Sequence, residues 1–405
     1  MPTLNTITND FYWIGVRDPH LRIFDIVMET EFGTTYNSYL LKGSEKIAVF
    51  ETAKDKFSDT YIENLKACVD PSQIDYIIIN HTEPDHSGAL IDLLNLAPHA
   101  TVVGSTLALK YLTSILNRPF NALKVKDGDT LSLGNKTIRF LSTPMLHWPD
   151  TIYSYIEEDG ILVTCDSFGA HFSSDHILRS TLPASSDADY LSAFNYYYSM
   201  IMGPFKPFVL KALKKIEGLT LNYICPSHGL VLDRSNISEF VAYYKEWSTP
   251  SEPTDPLVVI PYVSAYGYTK DLAFAISEGV QETLPTATIK LYDLSYDSIT
   301  EAMQDAGACD GLLIGSPTIL SDTLPQMWQL LSGINPVIHA GKLAACFGSY
   351  GWSGEAMIHL MERFNQLKLT TPLEPFSVCF KPSEEELVKA REFGCAFAKH
   401  IPTKH

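Results

Sequence analysis

From residue 257 onward, short aliphatic runs alternate with amphipathic stretches at a steady spacing. The runs occupy 257–262, 287–294, 311–315, 342–348 and 376–380. Each is short, mostly apolar and bounded by turn residues, as expected of strands covered on both faces. Between them, apolar positions recur every three or four residues over about 269–282, 299–306, 325–331, 354–367 and 383–399, which is the helical period. Regular alternation of strand and helix predicts a doubly wound, five-stranded parallel sheet. The first 250 residues are less regular. Strands are predicted at 46–50, 76–80, 101–104, 137–142, 161–165 and 222–225, and helices at 58–68 and 87–96, giving a second, mixed α/β domain.

The two patterns meet at 247–256, where three prolines and four Ser/Thr residues fall within ten positions. Proline blocks both a continuing helix and a central strand, so this segment reads as a linker between domains at 1–249 and 256–405. Composition then narrows the partners. The 405 residues are 45% hydrophobic and carry a net charge of −17, shared by both halves. That disfavours nucleic acid and anionic membrane as partners, and would suit a basic protein. No apolar run reaches the roughly 18 residues of a spanning helix. The opening Met1-Pro2-Thr3-Leu4-Asn5 lacks the basic and apolar parts of a secretion signal, so a cytoplasmic location is expected. Seven cysteines with no Cys-x-x-Cys pair encode neither a disulfide framework nor a zinc ribbon nor a rubredoxin-type iron site.

The candidate chemistry begins directly after the strand predicted at 76–80. His81-Thr82-Glu83-Pro84-Asp85-His86 places four ligand-type side chains within six residues, before Ser87-Gly88 open the predicted helix. A proline inside such a loop lets its side chains face two different centres. The plainer alternative is a polar turn with a helix cap from Asp85 or Ser87. Three more candidates follow strands in the same way: His147 in Leu146-His147-Trp148-Pro149-Asp150, Asp166 in Cys165-Asp166-Ser167-Phe168-Gly169, and His228 in Pro226-Ser227-His228-Gly229. Taken in order, these motifs resemble the metallo-β-lactamase-like domain of the flavodiiron proteins. The resemblance implies an αββα sandwich. Zinc hydrolases of that fold usually carry a third His where Glu83 stands. A carboxylate there hardens the site and suits iron, whereas zinc has no redox chemistry. The resemblance assigns His81, Glu83 and His147 to one iron and Asp85, His86 and His228 to the other. Asp166 and a hydroxo or oxo ligand would bridge them. His171, five residues past Asp166, and Tyr197 or Tyr198 are candidates to stand beside these ligands; helix packing is the alternative for the tyrosines.

In the second domain, Ser264-Ala265-Tyr266-Gly267-Tyr268-Thr269 follows the first strand and opens a helix. Hydroxyls, a glycine and a helix N-terminus make a phosphate cradle. The loop lacks G-x-G-x-x-G, so a dinucleotide is not favoured. It resembles the flavodoxin phosphate loop. Ser316-Pro317-Thr318-Ile319 and Ser349-Tyr350-Gly351-Trp352-Ser353-Gly354 follow later strands, and their aromatics can stack on an isoalloxazine. Together these loops point to FMN, and the flavodiiron resemblance then covers nearly the whole chain in its two-domain form. It implies an oxidoreductase that reduces O₂ to water at a diiron site fed by FMN. The alternative is reduction of NO to N₂O at the same irons; a remoter one is a metal-dependent hydrolase with an FMN sensor domain. Electrons would come from a separate rubredoxin, deazaflavin coenzyme or reductase. The family's head-to-tail homodimer would set the flavin of one chain beside the irons of the other, with Trp352 near the junction, and two dimers would make a tetramer.

Overall fold

The computed structural model describes residues 5–25, 28–250 and 255–402, so part of the predicted linker, 251–254, lies outside the described residues. The chain divides into two compact units, 1–250 and 251–405. In the first, two sheets face each other. One runs, in spatial order, through Thr6–Thr8, Phe11–Trp13, Tyr39–Lys42, Ile47–Phe50, Tyr76–Ile78, Thr101–Gly104 and Asn121–Lys124. The other runs through Thr130–Ser132, Thr137–Ser142, Ile152–Ile156, Ile161–Cys165, Tyr223–Pro226 and Leu232–Asp233. The strand period of two sorts side chains into layers. Ala48 and Phe50 meet Ile138, Phe140 and Val163 between the sheets. Val49, on the opposite face, packs with Tyr61 and Leu65 of the helix Ser58–Cys68. On the far side, Leu162 packs with Phe194, Val209 and Tyr244 from the helices Asp187–Tyr197, Lys206–Ile216 and Ile237–Ser248. Helix layer, sheet, sheet, helix layer is the αββα sandwich.

The second unit holds one five-stranded sheet, in the order Thr288–Asp293, Leu257–Tyr262, Gly311–Gly315, Leu343–Tyr350 and Phe376–Cys379, with every pair parallel. Numbered along the chain, that is 2-1-3-4-5, the doubly wound order whose ligand crevice opens at the carboxyl ends of the first and third strands. Both faces are covered: Val259, Leu312, Ile314 and Cys346 pack to one side, and Val258, Ile260, Leu313 and Phe347 to the other. On the second face, the helices Tyr268–Thr283 and Glu384–Ala398 approach backbone to backbone, because a glycine on each leaves room for the other. A Cβ on Gly394 would lie 2.1 Å from the Ile276 carbonyl oxygen, and one on Gly279 would lie 1.9 Å from that of Arg391. Ser383 starts the last helix with a reciprocal capping box to Glu386. Among the described residues, no helix is long and apolar enough to cross a membrane.

Candidate functional site

The strand Tyr76–Ile78 ends just before the six-residue motif, and Pro84–Ser87 forms one helical turn. Pro84 occupies the first helical position, where its missing N–H costs nothing. The expected helix start at Ser87 is therefore corrected. Ser87 closes the short turn, its hydroxyl donating to the Thr82 carbonyl at 2.9 Å, and the longer helix runs Leu90–Leu96. Gly88 separates the two because backbone packs against it; a Cβ there would sit 2.5 Å from the Asp55 nitrogen. Neither Asp85 nor Ser87 caps a helix.

The seven predicted ligand residues converge. Nε2 of His81 and of His147 lie 3.1 and 2.9 Å from Glu83 Oε2. They lie 3.6 and 3.7 Å from Asp166 Oδ2. On the other side, Asp166 Oδ1 stands 3.2 Å from His86 Nε2 and 3.5 Å from His228 Nε2. Those two imidazoles approach Asp85 Oδ1 and Oδ2 at 3.3 and 3.2 Å. Asp166 thus turns one oxygen towards each set. Ligand atoms about 2.1 Å from a shared ion stand about 3.0–3.4 Å apart, depending on coordination angle, close to the 2.9–3.7 Å seen here.

The fold aims these groups. A register shift between Val163 and Cys165 precedes Asp166, and Cys165 and Phe168 flank it in the left-handed region at φ 52° and 65°. Bulges and backbone strain of this kind re-aim side chains at functional sites. Of the ten non-glycine residues with positive φ among the described residues, five lie in loops around this pocket: Asp25, Glu51, Met145, Cys165 and Phe168. His228 rides on a loop held by Asn37, whose amide donates to the carbonyls of Pro226 and Gly229 at 2.8 and 2.9 Å.

Outer partners select the tautomers. His228 donates Nδ1–H to the Thr35 carbonyl at 2.6 Å, leaving Nε2 free to face the pocket. His81 Nδ1 lies 3.2 Å from Asp150 Oδ1, and Asp150 Oδ2 also accepts the Thr82 N–H and hydroxyl at 2.9 Å each. Asp150 belongs to the motif around His147, where sequence alone assigns it no role; a carboxylate behind a metal-facing histidine orients it and raises its basicity. Glu51 is likewise an addition. It is fully buried and accepts the Asn80 N–H at 2.8 Å; burial pushes its carboxyl up to about 8, against the opposing influence of His86.

The electrostatics call for cations. Burial alone would lower His81, but Asp150 and Glu83 more than offset it and raise the imidazole to about 10. Burial likewise opposes protonation of His86, yet Asp85 and then Asp166 raise it well above its ordinary value. Burial opposes ionisation of Asp166, yet His86 and its neighbours hold its carboxyl well below the usual range. Both oxygens of Asp85 and Nε2 of His86 are buried without a hydrogen-bond partner. Carboxylates and imidazole lone pairs gathered out of water require a compensating positive charge. Two ligand groups suited to metal ions occur here, His81, Glu83, His86 and Asp166, and Asp85, His86 and His228. Mixed imidazole and carboxylate donors suit iron.

Beside this pocket, Tyr197 donates its hydroxyl to Asp166 Oδ1 at 3.0 Å, and His171 Nδ1 lies 2.9 Å from the Thr34 hydroxyl. His171 Nε2 is buried with no partner. Burial, then His228, holds the His171 imidazole well below its ordinary value, so it is neutral. Tyr198 points elsewhere: its hydroxyl meets Ser248 Oγ at 2.7 Å and its ring packs on Tyr244 and Trp247. Helix packing accounts for Tyr198; Tyr197, one residue earlier, reaches the pocket.

In the second unit, a 440 Å³ cavity opens at the carboxyl ends of the strands. Of the predicted residues, Ser264, Ala265, Tyr266, Tyr268, Pro317, Thr318, Ile319, Ser349, Tyr350, Gly351, Trp352 and Ser353 line it. Gly267, Thr269, Ser316 and Gly354 are not among the residues that line it. Gly267 supplies φ +86° ahead of the helix Tyr268–Thr283, and Gly354 supplies +80° ahead of the helix Glu355–Gln366. Thr269 and Ser349 hydroxyls meet at 3.0 Å, and Ser316 Oγ accepts the Leu324 N–H at 3.2 Å. Leu320, Ser321, Glu355 and Phe380 complete the lining; Glu355 closes the third predicted loop, and no motif anticipates the others. Three of them, Leu320, Ser321 and Phe380, also have positive φ. An apolar, aromatic-walled slot beside a helix N-terminus with a glycine-supported loop fits a flat heteroaromatic phosphate such as FMN.

Comparison with known proteins agrees in both units. Residues 34–229 match the ODP family beta lactamase domain, and residues 260–394 match flavodoxin. The chain is 40% identical over 404 residues to flavo-diiron protein FprA2 of Clostridium acetobutylicum, covering 99% of this chain and 100% of that one. It is 37% identical over 400 residues to type A flavoprotein fprA of Rhodobacter capsulatus, covering 96% and 90%. Among solved structures, it is similar to the rubredoxin oxygen:oxidoreductase of Desulfovibrio gigas, with TM-score 0.72, 28% identity and 98% of each chain covered. The flavodiiron protein of Giardia intestinalis matches at TM-score 0.69 and 26% identity, over 98% of this chain and 97% of that one.

Proposed function

Because this chain belongs to the flavodiiron proteins, oxidoreductases with FMN and a non-haem diiron centre that reduce O₂, NO or both, we propose that it reduces O₂ to water. The observation that carries this reading is Asp166, one oxygen towards each of two histidine–carboxylate sets. We assign His81, Glu83 and His147 to one iron, Asp85, His86 and His228 to the other, and Asp166 to the bridge. With both cofactors bound, the irons and the flavin supply two electrons each, the four that O₂ needs to become two waters. The similarity to a protein named for oxygen reduction supports O₂ over NO.

The remaining steps belong to side chains. Asp150 and the Thr35 carbonyl hold His81 and His228 with Nε2 inward. Tyr197 stays protonated, burial and then Asp166 raising its phenol well above the ordinary value, so its O–H keeps Asp166 oriented. His171 is neutral, its Nδ1 meets the Thr34 hydroxyl, and its Nε2 is buried without a protein partner. In the tautomer that carries the proton on Nε2, that N–H can hydrogen-bond oxygen atoms entering the pocket. Trp352, 95% exposed on the cavity rim, is assigned to the junction of a head-to-tail dimer, which light scattering of the purified protein checks. A separate donor (rubredoxin, a deazaflavin coenzyme or a reductase) would supply the electrons.

The test mixes anaerobically reduced holoprotein with limiting O₂ and, in parallel, with NO. Four electrons consumed per O₂ without H₂O₂ are expected. Stoichiometric H₂O₂ would sink the four-electron reading, and NO consumption well ahead of O₂ consumption would move the assignment to NO.

A further inference from the structure

Among the residues lining the flavin cavity, Glu355 is the one that carries a charge. It is the first residue of the helix Glu355–Gln366, one side of a slot otherwise formed by aromatic, aliphatic and hydroxyl side chains and glycine. Its carboxylate is set in place: Ser353 donates its hydroxyl to Oε1 at 2.5 Å. Oε2 is out of solvent contact and has no hydrogen-bond partner. The Ser353 hydrogen bond, then the backbone N–H at the helix start, holds the group below the usual range, so it is ionised at neutral pH. One turn along the helix, His359 Nδ1 meets Asp322 Oδ1 at 2.8 Å, and neither residue lines the cavity.

We propose that Glu355 is a potential-setting residue for the flavin, a fixed negative charge on the cavity wall that selectively disfavours the reduced cofactor. This rests on FMN occupying this cavity. Two-electron reduction of FMN by an external donor adds two electrons and one proton, at N5. It leaves a net extra negative charge spread over N1 and the C2 oxygen. Oxidised isoalloxazine is neutral. A carboxylate in a weakly polar slot therefore acts on one redox state more than on the other, whichever edge of the ring it meets. The consequence is a lower midpoint potential, which favours electron delivery from flavin to the metal pocket over retention on the flavin.

The test measures dissociation constants of oxidised FMN and of dithionite-reduced FMN for wild type, Glu355→Gln and Glu355→Asp. Glu355→Gln is expected to improve the affinity for reduced over oxidised FMN by about tenfold, which for a two-electron couple is a rise of about 30 mV. Glu355→Asp, which keeps the charge, should stay within about twofold of wild type. A residue that only shapes the wall would change both affinities in parallel, so a ratio unchanged in Glu355→Gln overturns the proposal. Ala265→Trp, which fills the slot, separates this from failure of the cavity assignment: it should expel FMN, and full retention would mean the flavin binds elsewhere.

Discussion

At the candidate metal pocket, side chains reach inward from loops as far apart in the chain as His81 and His228, and three of them are fixed by a second group behind: Asp150 behind His81, the Thr35 carbonyl behind His228, Tyr197 behind Asp166. At the flavin cavity, the wall is built largely from three loops at neighbouring strand ends, with backbone geometry, hydroxyls and exposed rings making most of the contact. Tyr266 and Trp352 are 82% and 95% exposed, whereas His81 is fully buried. Hard cations demand charged donors at fixed spacing, so removing one donor leaves a misfit that neighbours cannot fill. A planar aromatic cofactor is held by many small contacts, and the loss of one is spread over the rest. Both sites share one trait: eight of the ten positive-φ non-glycine residues among the described residues lie in their loops.

This contrast can be broken by substitution. The largest effect is expected from Asp166→Ala: iron affinity should fall by more than about 100-fold while FMN content holds, read by elemental analysis and flavin absorbance on the same sample. If one iron remained at full occupancy, the shared role of Asp166 would be wrong. Asp150→Asn removes no metal-facing atom, and should weaken iron binding by about 10–100-fold, measured by chelator competition. Trp352→Ala should weaken FMN binding by about tenfold or less and leave iron content alone, followed by flavin fluorescence. Loss of iron in that variant would show that the two sites are not independent. The smallest effect is Ser383→Ala, which removes the capping box for about 1 kcal/mol of stability in calorimetry, with both cofactors retained.

The second unit was largely legible in the sequence. Runs such as 257–262 and 311–315 are buried on both faces, so their apolar content marks them without reference to anything else. The first unit was harder. Thr6–Thr8, Phe11–Trp13 and Thr34–Tyr36 are three residues long, too short for a period to register. The candidate metal residues were readable because four of them crowd into six positions. Their supports were not: Asp150 meets His81 across 69 residues, and Thr35 meets His228 across 193. Such pairings exist only once the sandwich has closed. Tyr197 and Tyr198 could not be separated by composition, since helical rotation alone sends one hydroxyl to Asp166 and the other to Ser248. Leu320, Ser321 and Phe380 are hidden in the sequence because a cavity wall is a property of converging loops and leaves no motif.

Asp166 also governs how the centre is filled. On the ligand assignment proposed above, the first ion to arrive would tighten the carboxylate rotation that Tyr197 already restrains, and so present its second oxygen, further ordered, to the next. The second ion then meets less ordering cost than the first. Loading should be cooperative, with empty and doubly occupied molecules dominating a titration at half stoichiometry and singly loaded ones scarce.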